Sequence, residues 1–353
     1  MSTQHTSGTF GTSAQFDTQP QRISGKLLAT QGYVVGIEIS GSGSRQSVAL
    51  ADLDGKILRR VRRPLEYVPD TQTLLQLLDS MLADVMAPEH LQDGRVLRVG
   101  VAVGGQVDAS RGIVRTLHHA HGWENFPLQE HLTEHLDIPC IIDNNANAAA
   151  LAETHYGAGV GERSVFYVGL GRGIGGALVV NDRIYHGVTY AAGEIGHLLV
   201  KEQGPKCSCG SYGHLEAIAS AQAIVRTMIG LSVEHPETES AIRRVTDGRA
   251  ERITAEQVFR LAAAGDSVAR HVVDDVHTYL GIALVNIVHL VNPGMIILGG
   301  PVAQAGDLLI APLQACIQDQ CLPAASQDLR VVQGQLGTEA NIVGAVTLAL
   351  QDI

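Results

Sequence analysis

The chain has 353 residues, 45% of them apolar and 17% charged, enough to build a sizeable core, exclude wholesale disorder and fill two lobes of roughly 150 residues each. Its 25 Lys+Arg stand against 36 Asp+Glu, a net charge of −11 that repels phosphate backbones and makes the chain alone a poor nucleic-acid binder. Five cysteines are too few for a secreted disulfide scaffold, and the N-terminus lacks a signal-peptide pattern. The most apolar run, Tyr279 to Val291, is too short for a bilayer and carries Asn286 and His289. These features predict a cytoplasmic protein with no membrane partner.

Residues 1–32 are rich in Ser, Thr, Gln and Gly without an apolar period, and are read as a disordered tail or linker remnant. A winged-helix DNA reader needs about twice that length and a basic recognition helix. From Tyr33 the pattern predicts a strand to Ile39, a turn over Ser40-Gly41-Ser42-Gly43-Ser44, a strand Ser47 to Ala51, a hairpin at Asp54–Gly55 and a strand Lys56 to Arg62. Leu74, Leu75, Leu78, Leu82 and Val85 predict an amphipathic helix begun near Asp70. Val96 to Val103 reads as a buried strand entering a turn at Gly104–Gly105.

The second half repeats this opening. Val165 to Leu170 is a strand, Gly171-Arg172-Gly173 a glycine turn, Ile174 to Val180 a strand, Asn181–Asp182 a hairpin turn, and a third strand starts at Arg183. Two unrelated hairpins would give the same pattern. A duplication would instead set a glycine turn from each lobe across a cleft, where backbone N–H groups form nests for phosphate oxygens. The remainder reads as helix over Ala255 to Ala264, Val268 to Val291, Leu308 to Gln318 and Ala340 to Leu350. One short strand, Met295 to Leu298, ends in Gly299–Gly300.

Three constellations carry chemistry. The first is Glu194-Ile-Gly-His197, followed by Cys207-Ser-Cys209-Gly-Ser-Tyr-Gly-His214-Leu-Glu216. Two thiolates and two imidazoles at this spacing match a closed tetrahedral zinc site, structural because no position is left open; the alternative is two surface cysteines beside coincidental histidines. Glu194 and Glu216 flank the cluster, either solvated or accepting paired hydrogen bonds from a sugar diol. The second is a strand running into Asp143, Asn144, Asn145 and Asn147 and then an Ala-rich helix reaching Glu153. Polar side chains at such a strand end line ligand clefts, and Asn145 serves equally well as a helix N-cap. The third, His118, His119 and His121 before Gly122–Trp123, has no fourth ligand nearby and reads as a partly exposed loop.

Together these motifs resemble the ROK family of sugar kinases and sugar-responsive repressors, from about Tyr33 to the C-terminus. Leu215-Glu216-Ala-Ile-Ala-Ser220 looks most like the repressor branch. The resemblance implies an α/β fold of the actin-like ATPase, ribonuclease H-like type, duplicated into two lobes, with a zinc-binding loop. The expected boundaries are 33–124 plus 340–353 for the first lobe and 125–339 for the second, which holds the zinc and sugar site. Kinases of the family bind ATP in the cleft and a hexose beside the zinc loop. Residue by residue, Glu194, His197 and Glu216 match the sugar ligands, Asn144 a sugar-binding asparagine and Gly105 the turn under the sugar. His197, Cys207, Cys209 and His214 match the zinc ligands, with His214 replacing a cysteine.

The departures decide the expected function. The family's catalytic aspartate falls on Asn145, and an amide cannot accept the sugar's proton as the phosphoryl group arrives. Asp143 is displaced by two residues. The first phosphate turn carries Glu38, Ser40, Gly41 and Ser42 where Asp-x-Gly-Gly-Thr is usual, with about two extra residues before the next strand. The second phosphate turn holds Arg172, between Gly171 and Gly173, in place of a threonine. Gly299 and Gly300 complete the degenerate nucleotide set, which puts ATP and Mg²⁺ in question. A further sugar-binding asparagine falls on Ala120. The expectation is therefore a catalytically inactive, sugar-sensing ROK protein, a pseudokinase with regulatory function, working as a homo-oligomer (dimer or tetramer) and binding a hexose or amino sugar beside structural Zn²⁺. Gln21-Arg-Ile-Ser-Gly-Lys-Leu-Leu looks like the linker after a repressor's DNA-binding domain, a domain not expected in this chain. The rivals are an ATP-dependent sugar kinase and a zinc scaffold that binds no sugar.

Overall fold

A computed structural model describes residues 32–41, 45–65, 70–92, 94–117, 120 and 122–353. The expected tail (except Gly32), Ser42, and the histidines 118, 119 and 121 lie outside the described residues. The first lobe runs β1 (Gly32–Ile39), β2 (Arg45–Asp52), β3 (Ile57–Pro64), α1 (Thr71–Val85), β4 (Arg95–Val103), β5 (Gly105–Asp108), β6 (Ile113–Leu117), α2 (Leu128–Leu136) and β7 (Cys140–Asn144), followed by α3 (Asn145–Tyr156). Its sheet is ordered β3-β2-β1-β4-β7, with β1–β2 and β2–β3 antiparallel and the other two pairs parallel. The second lobe runs β8 (Ser164–Leu170), β9 (Ile174–Val180), β10 (Arg183–Ile184), α4 (Ala221–Ser232), α5 (Pro236–Val245), α6 (Ala255–Ala263), α7 (Ser267–Val291), β11 (Met295–Gly299), α8 (Asp307–Gln320) and β12 (Arg330–Gln333). Its sheet is ordered β10-β9-β8-β11-β12, again antiparallel for the first two pairs and parallel for the last two. Two mixed sheets of one strand order are what a duplication of the strand–turn–strand pattern produces, rather than two unrelated hairpins. The chain closes with α9 (Ala340–Leu350).

Local chemistry accounts for the elements. Asp70 caps α1 by accepting the N–H of Thr73, and the helix buries Leu74, Leu78, Leu82 and Val85 of the stripe read from the sequence together with Met81, leaving Leu75 half-buried. Asn181 and Asp182 both adopt left-handed φ, as the tight β9–β10 hairpin demands. The antiparallel β5–β6 hairpin is an element that the sequence reading lacked.

The expected boundary at residue 125 is wrong. β7 pairs in parallel with β4, and Leu128, Leu132, Cys140 and Ile142 belong to the first lobe's core, so residues 128–144 extend that sheet through a strand–helix–strand crossover. The junction falls instead at α3, whose residues 146–154 are all buried, which explains its alanine content. α9 lies beside α3 and packs Ile342, Val346 and Ala349 against Val34, Ala49 and Ala51 of the first sheet. Gly344 lets the two helices touch, because a Cβ there would meet the backbone of Ala148. Buried Glu153 on α3 accepts N–H groups of Ala158, Gln335 and Leu336, and so ties the two segments that pass between the sheets.

Candidate functional site

A cleft of about 760 Å³ opens where the C-terminal ends of β1, β4 and β7 face the β8–β9 turn. Gly105, Asn144, Asn145, Glu194, His197 and Glu216 line it, which brings the expected sugar set to one place. Glu38, Ser40, Gly41, Gly171, Arg172, Gly173 and Gly300 line it too. Gly299 does not. It lies under Tyr167, whose hydroxyl occupies the space a Cβ would need. Ala120 packs against the first lobe's core rather than facing the cleft.

Asn144, not Asn145, is the N-cap of α3. Its Oδ1 accepts the N–H of Ala146 at 2.7 Å, and its Nδ2 donates to the Gly105 carbonyl at 2.7 Å. One amide N–H and one lone pair remain for a ligand. Asn145 is the first helical residue and lines the cleft; no hydrogen bond to its side chain occurs among the described residues. Asp143, the nearest carboxylate in the sequence, is no substitute base. It is buried, accepts from Asn147 Nδ2 at 2.8 Å and meets His186 Nε2 at 2.7 Å, turned away from the cleft.

Glu216 is fixed from two sides. Its Oε1 accepts from the Ser208 hydroxyl at 2.6 Å, and its Oε2 accepts the N–H of Ile174 at 3.1 Å, at the start of β9. Gly173 makes room for it, since a Cβ there would collide with the carboxylate. Glu194 precedes a short 3-10 turn, Ile195–His197, and its Oε2 stands 3.9 Å from His197 Nε2.

The other nitrogen of His197 faces the cysteines. His197 Nδ1 lies 3.4 Å from His214 Nδ1 and 3.7 Å from Cys207 Sγ, and Cys209 Sγ lies 3.3 Å from His214 Nδ1. All four donor atoms fall within 4.8 Å of one another. Bonds of about 2.0–2.3 Å at tetrahedral angles place donors roughly 3.3–3.8 Å apart, the spacing of these His–His and His–Cys contacts, so the set is a candidate for a four-coordinate ion with sulfur and nitrogen ligands. Burial pushes the Cys207 thiol up, and the Glu216 carboxylate adds to this. A bound cation would reverse that preference by stabilising the thiolate.

At the opposite end Glu38 is 3% exposed. Its Oε1 accepts from Asn341 Nδ2 at 3.0 Å, while its buried Oε2 has no partner among the described residues. Gln46 holds the turn next to it by accepting the N–H of Ser40 at 3.0 Å. Gln222, Gln304, Thr338 and Asn341 also line the cleft and were missed in the sequence. They come from segments far apart in the chain with no shared motif. The Asp143–His186 contact was missed for the same reason, 43 residues separating the pair.

The sequence profile of the ROK family matches residues 34–352. This chain belongs to the ROK family. The ROK chain is 33% identical to a glucokinase of Halalkalibacterium halodurans over 90% of its own length and 95% of that protein's. It is 28% identical to the N-acetylglucosamine repressor of Escherichia coli over 86% of its own length and 72% of the repressor's. Among solved structures, a ROK glucokinase from Streptomyces griseus in complex with glucose and AMPPNP superposes with a TM-score of 0.76 at 28% identity, covering 91% of this chain and all of that one. A ROK transcriptional regulator homologous to the Escherichia coli MLC protein reaches 0.75 at 27% identity, covering 91% of this chain and 78% of that one. The fold is the family's actin-like ATPase sugar-kinase fold, α/β with mixed sheets. Among the described residues no helix is long and apolar enough to cross a membrane.

Proposed function

We propose that this ROK protein binds a hexose or amino sugar without efficient phosphoryl transfer and acts as a sugar-responsive regulator in the cytoplasm. One observation carries the reading. Asn145, the residue that the family resemblance aligns with the catalytic base, lines the cleft, while the carboxylate nearest to it in the chain, Asp143, is buried against Asn147 and His186. Asn144, Glu194, His197 and Glu216 would take sugar hydroxyls, offering donors and acceptors. His197 Nδ1, Cys207, Cys209 and His214 would hold Zn²⁺, whose role is to pin the loop carrying Ser208 and Glu216. Arg172 places a guanidinium where the phosphate turn of a kinase needs a slim backbone approach. The repressors among the relatives support the regulatory assignment.

The second reading, an ATP-dependent hexose kinase, is favoured by Glu38. A buried carboxylate oxygen without a partner among the described residues, at the mouth of a glycine turn, suits a Mg²⁺ ion or its water shell. The glucokinases among the relatives support it equally. An assay coupling ADP release to oxidation, run with purified protein over a panel of hexoses and N-acetylhexosamines, separates the readings when paired with calorimetric titration of the same sugars. Binding heat without ADP release supports the sensor, ADP release supports the kinase, and neither signal supports a zinc scaffold.

A further inference from the structure

A side pocket of about 130 Å³ opens beside the sugar end of the cleft. It shares Asn144, Gln106 and Glu194 with the main cleft, and Asn147, Arg115 and Tyr190 add to its wall. Its guanidinium is already neutralised. Arg115 donates to Asp108 at 2.6 Å and to Asn125 at 3.0 Å, so the pocket suits a neutral substituent rather than an anion.

Tyr190 is the unusual member of this wall. Its φ is +60°, a left-handed conformation that a bulky side chain rarely adopts. Such an outlier persists only where its surroundings over-determine it. Here they do. The Tyr190 ring packs on the His186 imidazole with centroids 4.9 Å apart. His186 Nε2 in turn meets Asp143 Oδ2 at 2.7 Å, and Asp143 directly precedes Asn144 on β7. The loop that reaches over the pocket is thus latched to the strand that presents Asn144, and the latch fixes where the ring stands.

We infer that Tyr190 is the size gate of the sugar site: its ring closes the side pocket and limits the substituent that a bound sugar can carry there. The inference rests on the sugar-binding reading of the cleft. A group that fits the gated pocket is a hydroxyl or a small neutral group, and each further methylene forced against the ring is penalised.

Glycine adopts the φ of residue 190 without strain, so Tyr190→Gly removes the gate with little risk to folding. Tyr190→Phe keeps the ring. The test is calorimetric titration of both variants and the unaltered protein with one hexose, and with that hexose carrying an O-methyl or an O-propyl group at each ring hydroxyl in turn. At the hydroxyl that faces the pocket, the unaltered protein and Tyr190→Phe should favour methyl over propyl. The ratio should fall by roughly 10-fold or more in Tyr190→Gly, the range expected for methylenes released from a confined pocket. An unchanged ratio at every position in a variant that still binds the methyl sugar overturns the gate and leaves the sugar reading standing. Absence of any binding by the unaltered protein overturns both.

Discussion

The two ends of the cleft are built to different standards. At the end of the cleft beside the Cys207–His214 loop, the Glu216 carboxylate and the Asn144 amide are held by fixed partners. Glu216 is held between Ser208 and the N–H of Ile174, and Asn144 between the Gly105 carbonyl and the N–H of Ala146. At the opposite end Glu38 keeps one buried oxygen without a partner among the described residues, and Arg172 stands between Gly171 and Gly173. Held groups bind a ligand with little reorganisation, whereas phosphoryl transfer depends on positioning at the other end as well. On the proposed reading, this contrast is how a ROK scaffold would retain a sugar site while losing turnover.

The sharpest break of this comparison is at the proposed zinc. Cys207→Ser should leave less than half an equivalent of zinc per chain by elemental analysis. Sugar affinity should fall by at least the roughly 10–100-fold that lost metal-site support typically causes, because Glu216 and Ser208 lose their anchor. Unchanged melting and binding in a zinc-free protein would show that the loop stands without the ion.

Glu216→Gln comes next. The amide keeps one acceptor but turns an NH₂ toward either Ser208 or the N–H of Ile174. A lost charge-assisted hydrogen bond is worth about 1.5–3 kcal/mol, so calorimetry should read a sugar affinity weaker by roughly 10- to 150-fold. An affinity equal to that of the unaltered protein would remove Glu216 from the site.

Asn145→Asp tests the other end. A positioned base contributes about 10²–10⁴-fold to a rate where the rest of the machinery is intact. With Arg172 and the altered first turn still in place, the gain in ADP release should stay below that range. A gain at its top would show that the phosphate turns are sound and that Asn145 alone separates this chain from a kinase.

The smallest effect lies outside the cleft. Burial lowers the His277 pKa from its ordinary value, and its Nε2 meets the Leu308 carbonyl at 2.9 Å. The unfolded chain therefore takes up a proton at a higher pH than the folded one. Stability is full above the unfolded value near about 6.5 and falls as pH drops below it. His277→Gln should flatten the melting temperature of the protein between pH 7 and pH 5. Equal slopes in both proteins would contradict the assignment.

Much of this architecture is legible in the sequence because it is local. The α1 cap at Asp70, both hairpins and the limits of α9 follow from neighbouring residues, and the candidate metal-binding cluster follows from spacing within one loop. What was misread depends on distant contacts. Residues 128–144 look like the start of a new lobe until β7 is seen to pair with β4. Asn144 and Asn145 are both good caps, and the choice falls to Asn144 because the Gly105 carbonyl, 39 residues away, holds its amide. The Tyr190–His186–Asp143 chain carries no periodicity at all.

The measurement that bears most directly on sugar binding without turnover is mass-spectrometric detection of hexose phosphate. The protein would be incubated with Mg-ATP and a sugar that calorimetry has shown to bind at saturation. Typical enzymes turn over at about 10 s⁻¹, and loss of the base together with altered phosphate turns should bring this chain below about 10⁻² s⁻¹. Product formed at ~1 s⁻¹ or faster would contradict the account.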